Sequence, residues 1–568
     1  MIEPKPLSQR SSVEKFFSRL PGLIFVLIFA FFMFGGLVLP EVTAYAIIIM
    51  NVYFFYKSLL LAITFFISYQ RIGFYESVNW LERLEHIKEP EVIIANLKEK
   101  QNLLAQASFQ PYLQTGSTSL VRHFSAGLPY FFQKIVFARE KKKANDALLK
   151  QIKEIKETKI LKNWHELQHI IIIPHVKEPE HILRETLDNI SKQTFPNSQI
   201  NVVLAAEGRD EEGYQLSLKL AEEYGKVFNH VWVSKHILTE DEVVGKSSNM
   251  KAGGAVAYEE VKKLGWDLKK ILLTSCDADS KLPPLYLAYV TYKYVTTEHS
   301  EYKFYNAAMV FYNNIWRLPF YARVKNSMSS LFNTARLVRT DKLIPFSTYT
   351  TSFWVIKEIN FWTPWVTPED FHIFIKSQFK FGGVTSVIPI YLRINSDAAE
   401  GSGHKDTFKN NYKQERRWQW GISDDGWVLQ NVFHGIGKYD FLTMYRAIHS
   451  VIDHILTPVM SIVILWGGNI PTLINPAFNS TVLGSQLPGV SSTIISVSFI
   501  FLLFIIIIDL FYRPPRDGKY GIGKVFLQLG EWIFFPISSF FLSVLPGVEA
   551  NTRLLLGKNL EYYVTKKQ

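Results

Sequence analysis

Long apolar runs occupy the two ends of the chain, and mixed apolar and charged sequence fills its middle. The first run extends from Pro21 to Pro40 without a charged residue, and the second covers Ala44 to Ser68 with Lys57 as its only charge. At about 1.5 Å per helical residue, each run is long enough to cross about 30 Å of hydrocarbon. The pattern therefore predicts two N-terminal transmembrane helices.

Three further apolar runs lie near the other end, at Ile455 to Ile470, Val490 to Leu510 and Val525 to Leu545. They predict three more spans, and the last one, which contains Glu531 and Pro536, is expected to bend or to re-enter the membrane. A cleaved signal peptide is the weaker interpretation of the first run of the chain, because that run is long and no small-x-small cleavage site follows it.

Basic residues beside the apolar runs orient these helices. Four precede the first span and four fill one C-terminal connection: Lys5, Arg10, Lys15 and Arg19, and Arg513, Arg516, Lys519 and Lys524. The connection from Gly467 to Gly489 has no charge. Because basic connections stay on the cytoplasmic side, the pattern predicts a multi-pass protein of the plasma membrane whose central domain faces the cytoplasm.

The net charge of +11 over 568 residues is explained by this arrangement, since basic residues beside a membrane meet anionic headgroups. The sequence has no zinc-finger spacing and no basic stripe interleaved with aromatic residues, so it predicts no nucleic-acid partner. A single cysteine, Cys276, excludes an intrachain disulfide and a site with several thiolate ligands.

The middle of the chain changes its pattern near His169. Between Ser77 and His165 the periodicity is helical, with an aromatic piece at Leu128 to Phe137 and a charged one at Ala138 to Lys162, which predicts amphipathic helices at the membrane interface. From His169, apolar strands alternate with helical stretches, which predicts a mostly parallel α/β sheet. Neither G-x-G-x-x-G nor a Walker loop is present, so dinucleotide and P-loop sites are not expected.

Acidic residues follow two of the predicted strands. Glu207 follows INVVLAA, and Asp277 and Asp279 follow KILLTSC. Ligands of parallel sheets bind beyond the carboxyl ends of the strands, and paired carboxylates there suit Mg²⁺ or Mn²⁺ that clamps a diphosphate. A surface turn after a buried strand is the alternative for this isolated Asp-x-Asp.

Two later segments strengthen the chemical interpretation. In WVTPEDFHIF, Glu369 and Asp370 open a predicted helix and either supply a general base or cap that helix. In KQERRWQWG, the side chains of Gln414, Arg417 and Trp418 share one helix face. Arginine can neutralise a diphosphate and an indole can stack on a sugar, although Trp418 is equally typical of a membrane-interface anchor.

A polar face marks the start of the third predicted span. Arg446, His449 and Asp453 are spaced i, i+3 and i+7. Charges at membrane depth usually face a wet cavity or a partner, so this face predicts a path for a growing glycan. An interfacial half-helix with its charges among the headgroups is the alternative.

Three motifs follow one another in a fixed order: Asp277-x-Asp279, Glu369-Asp370 and Gln414-x-x-Arg417-Trp418. In a cytoplasmic α/β domain between transmembrane helices, this order resembles the processive family 2 glycosyltransferases (GT2), which include cellulose and hyaluronan synthases. The resemblance implies a GT-A fold that binds a nucleotide-sugar, inserted between N-terminal and C-terminal transmembrane helices. It also implies an inverting hexosyltransferase that uses Mg²⁺ or Mn²⁺.

The resemblance assigns roles to particular residues. It implies donor binding by Glu207, Asp210, Lys246, Asn249, Asp277, Asp279 and Arg417. Asp277 and Asp279 would hold the metal, Asp370 or in reserve Glu369 would be the catalytic base, and Gln414 and Trp418 would bind the acceptor. The aromatic segment Phe346 to Ile356, predicted to be a loop, is a second candidate for the acceptor cradle, and membrane-facing packing is its alternative. The family's Thr-Glu-Asp motif is matched imperfectly, because Pro368 separates Thr367 from Glu369.

The expected layout has five parts. They are a membrane region at 1–70, interfacial helices at 71–165, the GT-A domain at 166–400, interfacial helices with the Gln-x-x-Arg-Trp motif at 401–440, and a C-terminal membrane region with a basic tail at 441–568. The expected partners are a nucleoside-diphosphate sugar, a glycan or lipid-linked acceptor and the bilayer. A transferase that adds one sugar to a polyprenyl or other lipid acceptor is the first alternative. A catalytically inactive membrane subunit that binds a nucleotide-sugar or polysaccharide is the second.

Overall fold

The computed structural model describes residues 1–106, 130–514 and 522–560. Parts of four predictions fall outside these residues: positions 107–129 of the helical stretch Ser77 to His165, the beginning of the aromatic piece Leu128 to Phe137, the basic residues Arg516 and Lys519, and the end of the basic tail.

Helices make up both ends of the chain and alternate with strands in its middle. The described α-helices are α1 (Ser12–Val38), α2 (Pro40–Tyr75), α3 (Trp80–Glu85), α4 (Pro90–Gln106), α5 (Tyr130–Glu157), α6 (Glu180–Ser191), α7 (Glu211–Tyr224), α8 (Lys246–Lys263), α9 (Tyr286–Thr296), α10 (Phe320–Arg336), α11 (Phe353–Glu358), α12 (Glu369–Phe381), α13 (His404–Gln419), α14 (Asp425–His434), α15 (Phe441–Ile462), α16 (Ile470–Ile474), α17 (Pro476–Asn479), α18 (Val482–Tyr512), α19 (Ile522–Glu531), α20 (Phe535–Ser539) and α21 (Leu545–Leu555). The strands are β1 (Gln168–His175), β2 (Ile200–Glu207), β3 (His230–His236), β4 (Ile271–Ser275), β5 (Lys303–Val310), β6 (Tyr349–Ser352) and β7 (Ser386–Asn395).

The seven strands form one mixed sheet in the order β3-β2-β1-β4-β6-β5-β7. The pairs β1/β2, β1/β4, β2/β3 and β5/β7 are parallel, whereas β6 runs antiparallel to both β4 and β5. The predicted α/β sheet with crossover helices is confirmed for β1 to β4, of which β1, β2 and β4 are buried and β3 is mostly half-buried. The sequence analysis did not anticipate β5, β6 and β7.

The aromatic segment Phe346 to Ile356 does not form the predicted loop. It contains strand β6 and the beginning of α11. Thr350 lies across the sheet from Thr274 with their hydroxyl oxygens 2.8 Å apart, and the hydroxyl of Tyr349 accepts a hydrogen bond of 2.8 Å from the indole of Trp362. Thr348 to Phe353 are therefore core and cannot cradle an acceptor, whereas Phe346 and Ser347 are partly exposed.

Five helical stretches are long and apolar enough to cross a membrane, and they coincide with the five predicted runs. They are Ser12–Val38, Pro40–Tyr75, Phe441–Gly467, Val482–Tyr512 and Phe526–Leu555. The third is longer than predicted because the charged residues at its start continue the helix. The fifth contains a 3₁₀ turn at Trp532–Phe534 and a π turn at Phe540–Val544, and irregular turns of this kind are common where helices bend.

Polar contacts join the sheet domain to the fourth candidate span. The hydroxyl of Tyr312 donates to Asp509 Oδ1 at 3.0 Å, and Arg513 Nε donates to Asp509 Oδ2 at 2.6 Å. The hydroxyl oxygens of Thr334 and Tyr512 lie 2.9 Å apart. Because these groups are all buried, polar bonds as well as apolar packing fix the domain to the helix.

The ion pair Asp509–Arg513 should contribute strongly to stability. We expect Asp509→Ala to destabilise the folded state by about 3–5 kcal/mol, since the substitution leaves a buried guanidinium without its carboxylate. Thermal unfolding in detergent would measure this loss. The control is Glu185→Ala, which breaks the exposed pair with Lys281 and should cost about 1 kcal/mol or less. Equal effects of the two substitutions would contradict the prediction.

Candidate active site

A cleft of about 380 Å³ lies at the carboxyl ends of β1, β2 and β4. Ten of the eleven predicted site residues line it: Glu207, Lys246, Asn249, Asp277, Asp279, Glu369, Asp370, Gln414, Arg417 and Trp418. Segments far apart in the sequence thus meet at the sheet edge where α/β proteins bind ligands.

The eleventh residue, Asp210, has a different position. Its carboxylate caps α7 by accepting from the backbone N–H of Gly213 at 3.2 Å, and it also accepts from the N–H of Lys177 at 2.5 Å. Asp210 does not line the cleft. These bonds account for the residue structurally, so its donor-binding role has no support from this geometry.

Lys246, at the start of α8, connects two of the motifs. Its ammonium nitrogen lies 2.6 Å from Asp277 Oδ1, 2.6 Å from Glu369 Oε1 and 2.7 Å from the carbonyl oxygen of Ser347. Burial by itself would lower the pKa of Lys246, but the two carboxylates outweigh that effect and raise it above its ordinary value. The lysine is therefore a fixed positive charge at the centre of the cleft.

Ser347 joins the two aspartates and was not found by sequence reasoning. Its backbone N–H donates to Asp370 Oδ2 at 2.8 Å, and its hydroxyl donates to Asp277 Oδ2. Ser347 has a left-handed backbone with φ of 60°, a conformation that costs a non-glycine residue about 1–3 kcal/mol. No pattern marks this serine, because its role arises from the fold of the segment before β6.

Asp279 is held from the end of β7. Its Oδ2 accepts from the hydroxyl of Ser396 at 2.7 Å and from the N–H of Asp397 at 3.0 Å, and the residue is only 3% exposed. The Asp-x-Asp segment is thus part of the cleft wall, and the alternative of a solvated surface turn is wrong.

The oxygen ligands of the cleft fit a divalent cation that arrives with a diphosphate. Within residues 1–106, 130–514 and 522–560 there is no group of three or more His, Cys, Asp or Glu side chains suited to hold a metal. Mg²⁺ typically takes one or two carboxylates and completes its shell with phosphate and water oxygens. Asp277 and Asp279 could supply that pair of carboxylates, so the two residues suit a shared site and not a preformed protein cage.

Glu369 and Asp370 differ in accessibility although they are adjacent. Asp370 is partly exposed, whereas Glu369 is 5% exposed and its Oε2 has no hydrogen-bond partner among the described residues. Burial raises the pKa of Glu369 to about 8, although Lys246 acts in the opposite direction. Pro368 is the N-cap of α12 and makes no side-chain capping bond, whereas Asp370 Oδ1 accepts from the N–H of Phe371 at 2.8 Å in the first turn.

The Gln-x-x-Arg-Trp motif lies on α13, and its tryptophan faces the cleft. The centre of the Trp418 ring is 5.4 Å from that of Phe311 and 6.1 Å from that of Phe346, and Lys325 Nζ is 4.3 Å from the Trp418 ring centre. Gln414 is buried, with its Oε1 unpartnered among the described residues. Because aromatic and cationic side chains pack around it, Trp418 is a wall of the cleft and not a lipid-facing anchor.

Two further candidate donor-binding residues, Asn249 and Glu207, line the cleft but belong to none of the three motifs. Asn249, in the first turn of α8, is buried and its Oδ1 has no hydrogen-bond partner among the described residues. Glu207, at the end of β2, is buried and ion-paired with Arg209. An unpartnered buried amide in a cleft is a group that a ligand can satisfy.

The polar face of the third candidate span divides into two parts. Arg446 donates to the carbonyl oxygens of Asp341 and Thr385, both at 2.9 Å, and so anchors the helix to the sheet domain. Asp453 lies 3.0 Å from Lys57 of α2 and 3.2 Å from His449. Arg446 is thus structural, and only the second part is available to line a path.

Comparison with known proteins places the chain beside glycosyltransferases only distantly. No protein-family model matches it, and no curated protein matches it. Among solved structures it is similar to the mannosyltransferase PcManGT from Pyrobaculum calidifontis in complex with GDP-Man and Mn²⁺, with a TM-score of 0.39, 12% identity, and coverage of 71% of this chain and 91% of that one. It is also similar to S. aureus TarS 1–349 in complex with UDP-GlcNAc, with a TM-score of 0.30, 14% identity, and coverage of 60% and 91%. Likenesses of this size assign neither a family nor a substrate.

Proposed function

We propose that the protein is a membrane-bound inverting glycosyltransferase that moves a hexose from a nucleoside-diphosphate sugar to a growing polysaccharide at the cytoplasmic face. The observation that carries this proposal is the cleft that collects the three motifs at the carboxyl edge of the sheet. The five candidate membrane spans support placement of that cleft beside a bilayer.

The donor would bind between the sheet edge and α13. Glu207, Asn249, Lys246 and Arg417 all line the cleft. In this proposal Glu207 and Asn249 contact the nucleoside, and Lys246 and Arg417 contact its diphosphate. Asp277 and Asp279 would hold Mg²⁺ or Mn²⁺, which supplies positive charge to the diphosphate when bound. Arg417 would stabilise the charge that develops on the leaving nucleoside diphosphate.

The transfer is a single displacement at the sugar carbon. Asp370 takes the proton from the acceptor hydroxyl as the new carbon–oxygen bond forms and the bond to the diphosphate breaks, which inverts the anomeric carbon. The N–H of Ser347 fixes the carboxylate of Asp370 for that role. Trp418 is placed to stack on the acceptor sugar, with Gln414 beside it.

A donor screen with detergent-purified full-length protein tests the proposal. We expect one nucleotide-sugar among UDP-glucose, UDP-GlcNAc and GDP-mannose to release its nucleoside diphosphate in a reaction that requires Mg²⁺ or Mn²⁺. Product size then separates the alternatives, since a polymerase gives a ladder and a single-sugar transferase gives one addition. Nucleotide-sugar binding without any release of nucleoside diphosphate would instead support an inactive binding subunit and refute the enzyme.

A further inference from the structure

Arg336 and His454 line the cleft near Asp370, and neither belongs to one of the three motifs. Arg336 is the last residue of α10, and His454 lies on α15, within the third candidate span. The ring of His454 is 5.3 Å from that of Phe371, which directly follows Asp370. The two residues thus form the wall where an acceptor hydroxyl would approach the base.

Arg336 has hydrogen-bonding capacity to spare. Its described hydrogen bond joins Nη2 to the carbonyl oxygen of Ile344 at 3.4 Å, and no ion pair of the described residues includes it. Burial lowers the pKa of Arg336, although the charges of Asp370 and Asp453 oppose that effect. A guanidinium has five N–H donors, so most of them remain for a ligand in the cleft.

His454 is held in one orientation by a buried carboxylate. Its Nδ1 lies 2.9 Å from Asp425 Oδ1, and the side chain of Asp425 is completely buried. With Nδ1 engaged, Nε2 is the nitrogen that remains for a ligand, and in the protonated ring it is an N–H donor. An arginine and a carboxylate-held histidine in one cleft wall are suited to an anion.

The two carboxylates whose charges act on Arg336 are Asp370 and Asp453, and both have other partners. Asp453 lies 3.0 Å from the ammonium group of Lys57, and the carboxylate of Asp370 accepts from the backbone N–H groups of Ser347 and Phe371. Lys57 and Asp453 belong to the second and third candidate spans, so this wall of the cleft lies at the membrane helices. A ligand that reaches it can therefore come from the bilayer as well as from solution.

We propose that Arg336 and His454 form an anion subsite that holds a phosphate group of the acceptor, next to the hydroxyl that is glycosylated. This inference rests on the proposed glycosyl transfer, and it replaces the unmodified polysaccharide as acceptor by a molecule that carries a phosphate group. The O–H bond of the acceptor breaks, its proton goes to Asp370, the sugar carbon bonds to the acceptor oxygen, and the nucleoside diphosphate leaves. The phosphate takes no part in bond exchange and fixes the position of the hydroxyl.

Matched acceptors test the subsite with the donor that the screen identifies. The probes are a short-chain phosphatidylglycerol, a diacylglycerol with the same acyl chains, and glycerol phosphate, all of which carry free hydroxyls. We expect the wild-type kcat/KM for phosphatidylglycerol to exceed that for diacylglycerol by about ten- to hundredfold, the effect typical of hydrogen bonds to a charged group. Equal use of glycerol phosphate would support the subsite and indicate a soluble source of the phosphate.

Variants separate this subsite from general damage, because the readout is a ratio of two acceptors. Arg336→Gln should bring the preference close to one, and Arg336→Lys should retain part of it. Arg339→Gln is the control, since Arg339 lies nearby but outside the cleft, and it should keep the wild-type preference.

Two results would overturn the proposal. One is a wild-type enzyme that uses diacylglycerol as well as phosphatidylglycerol, which decides the matter even if the Arg336 variants do not fold. The other is a full preference retained in folded Arg336→Gln. If nucleoside diphosphate is released but phosphate brings no preference, this inference alone fails. If no donor is consumed with any acceptor, the proposed function fails with it.

Discussion

Asp370→Asn is expected to lower glycosyl transfer by about 10²- to 10⁴-fold and to leave donor binding in place, since the amide cannot accept the hydroxyl proton. The asparagine side chain keeps the size of aspartate and an oxygen that can still accept the N–H of Ser347. The active-site framework should therefore survive the change. Transfer rates and the dissociation constant of the donor, measured on the same preparation, check both halves of this expectation.

The neighbouring residue provides the matched comparison. Glu369→Gln alters the carboxyl group whose Oε1 lies 2.6 Å from Lys246 Nζ, so it should disturb the donor side of the cleft and weaken donor binding. Glu369→Gln should not show the behaviour of Asp370→Asn, which loses transfer but keeps donor binding, because Glu369 is buried against Lys246. If Glu369→Gln instead loses transfer with normal donor binding and Asp370→Asn stays active, Glu369 is the base.

The first strands of the sheet could be predicted because each of them is marked by its own run of residues in the sequence. Strands β1, β2 and β4 are runs of β-branched and apolar residues buried on both faces, and such runs alternate with amphipathic helices in this segment. Strand β5 is interrupted by Asn306, whose amide donates to the carbonyl oxygens of Phe346 and Thr348. Strand β6 has only four residues and is specified by its two antiparallel partners, so no periodicity could reveal it.

The candidate site was predictable where its residues come in motifs. Asp277 and Asp279 follow a recognisable strand, and Gln414, Arg417 and Trp418 share a helix face. Their spacing in the sequence therefore marked them as candidate site residues. Ser347, Arg336 and His454 are single residues that enter the cleft only through tertiary packing.

The roles of the polar residues on the third candidate span depend on the groups that they contact in the folded chain. Arg446 and Asp453 look equivalent in the sequence, yet one binds backbone carbonyls of the sheet domain and the other binds Lys57 of α2. Spacing places charges on one face of a helix, but the packing of other elements determines what each charge meets.

Asp279→Asn is expected to abolish metal-dependent turnover, with a loss of about a thousandfold or more, since metal assistance supplies several kcal/mol of charge stabilisation. The fold should persist, because an asparagine oxygen can still accept from the hydroxyl of Ser396 and the N–H of Asp397. Turnover across a Mn²⁺ titration measures the first effect. Electron paramagnetic resonance of Mn²⁺ in the presence of nucleoside diphosphate measures binding of the ion independently of activity.

The control for this substitution is Asp210→Asn, which removes a carboxylate that caps α7 outside the cleft. It should change stability by less than about 1 kcal/mol, because asparagine caps a helix about as well as aspartate, and it should leave the Mn²⁺ dependence unchanged. Asp279→Asn should differ from Asp210→Asn in both turnover and Mn²⁺ binding, since Asp279 lies with Asp277 in the cleft and Asp210 does not. Wild-type turnover and an unchanged Mn²⁺ signal in Asp279→Asn would refute the assignment of Asp279 to the metal. A folded Asp279→Asn that fails to bind Mn²⁺, beside an Asp210→Asn that binds it normally, would instead place the ion at the end of β4.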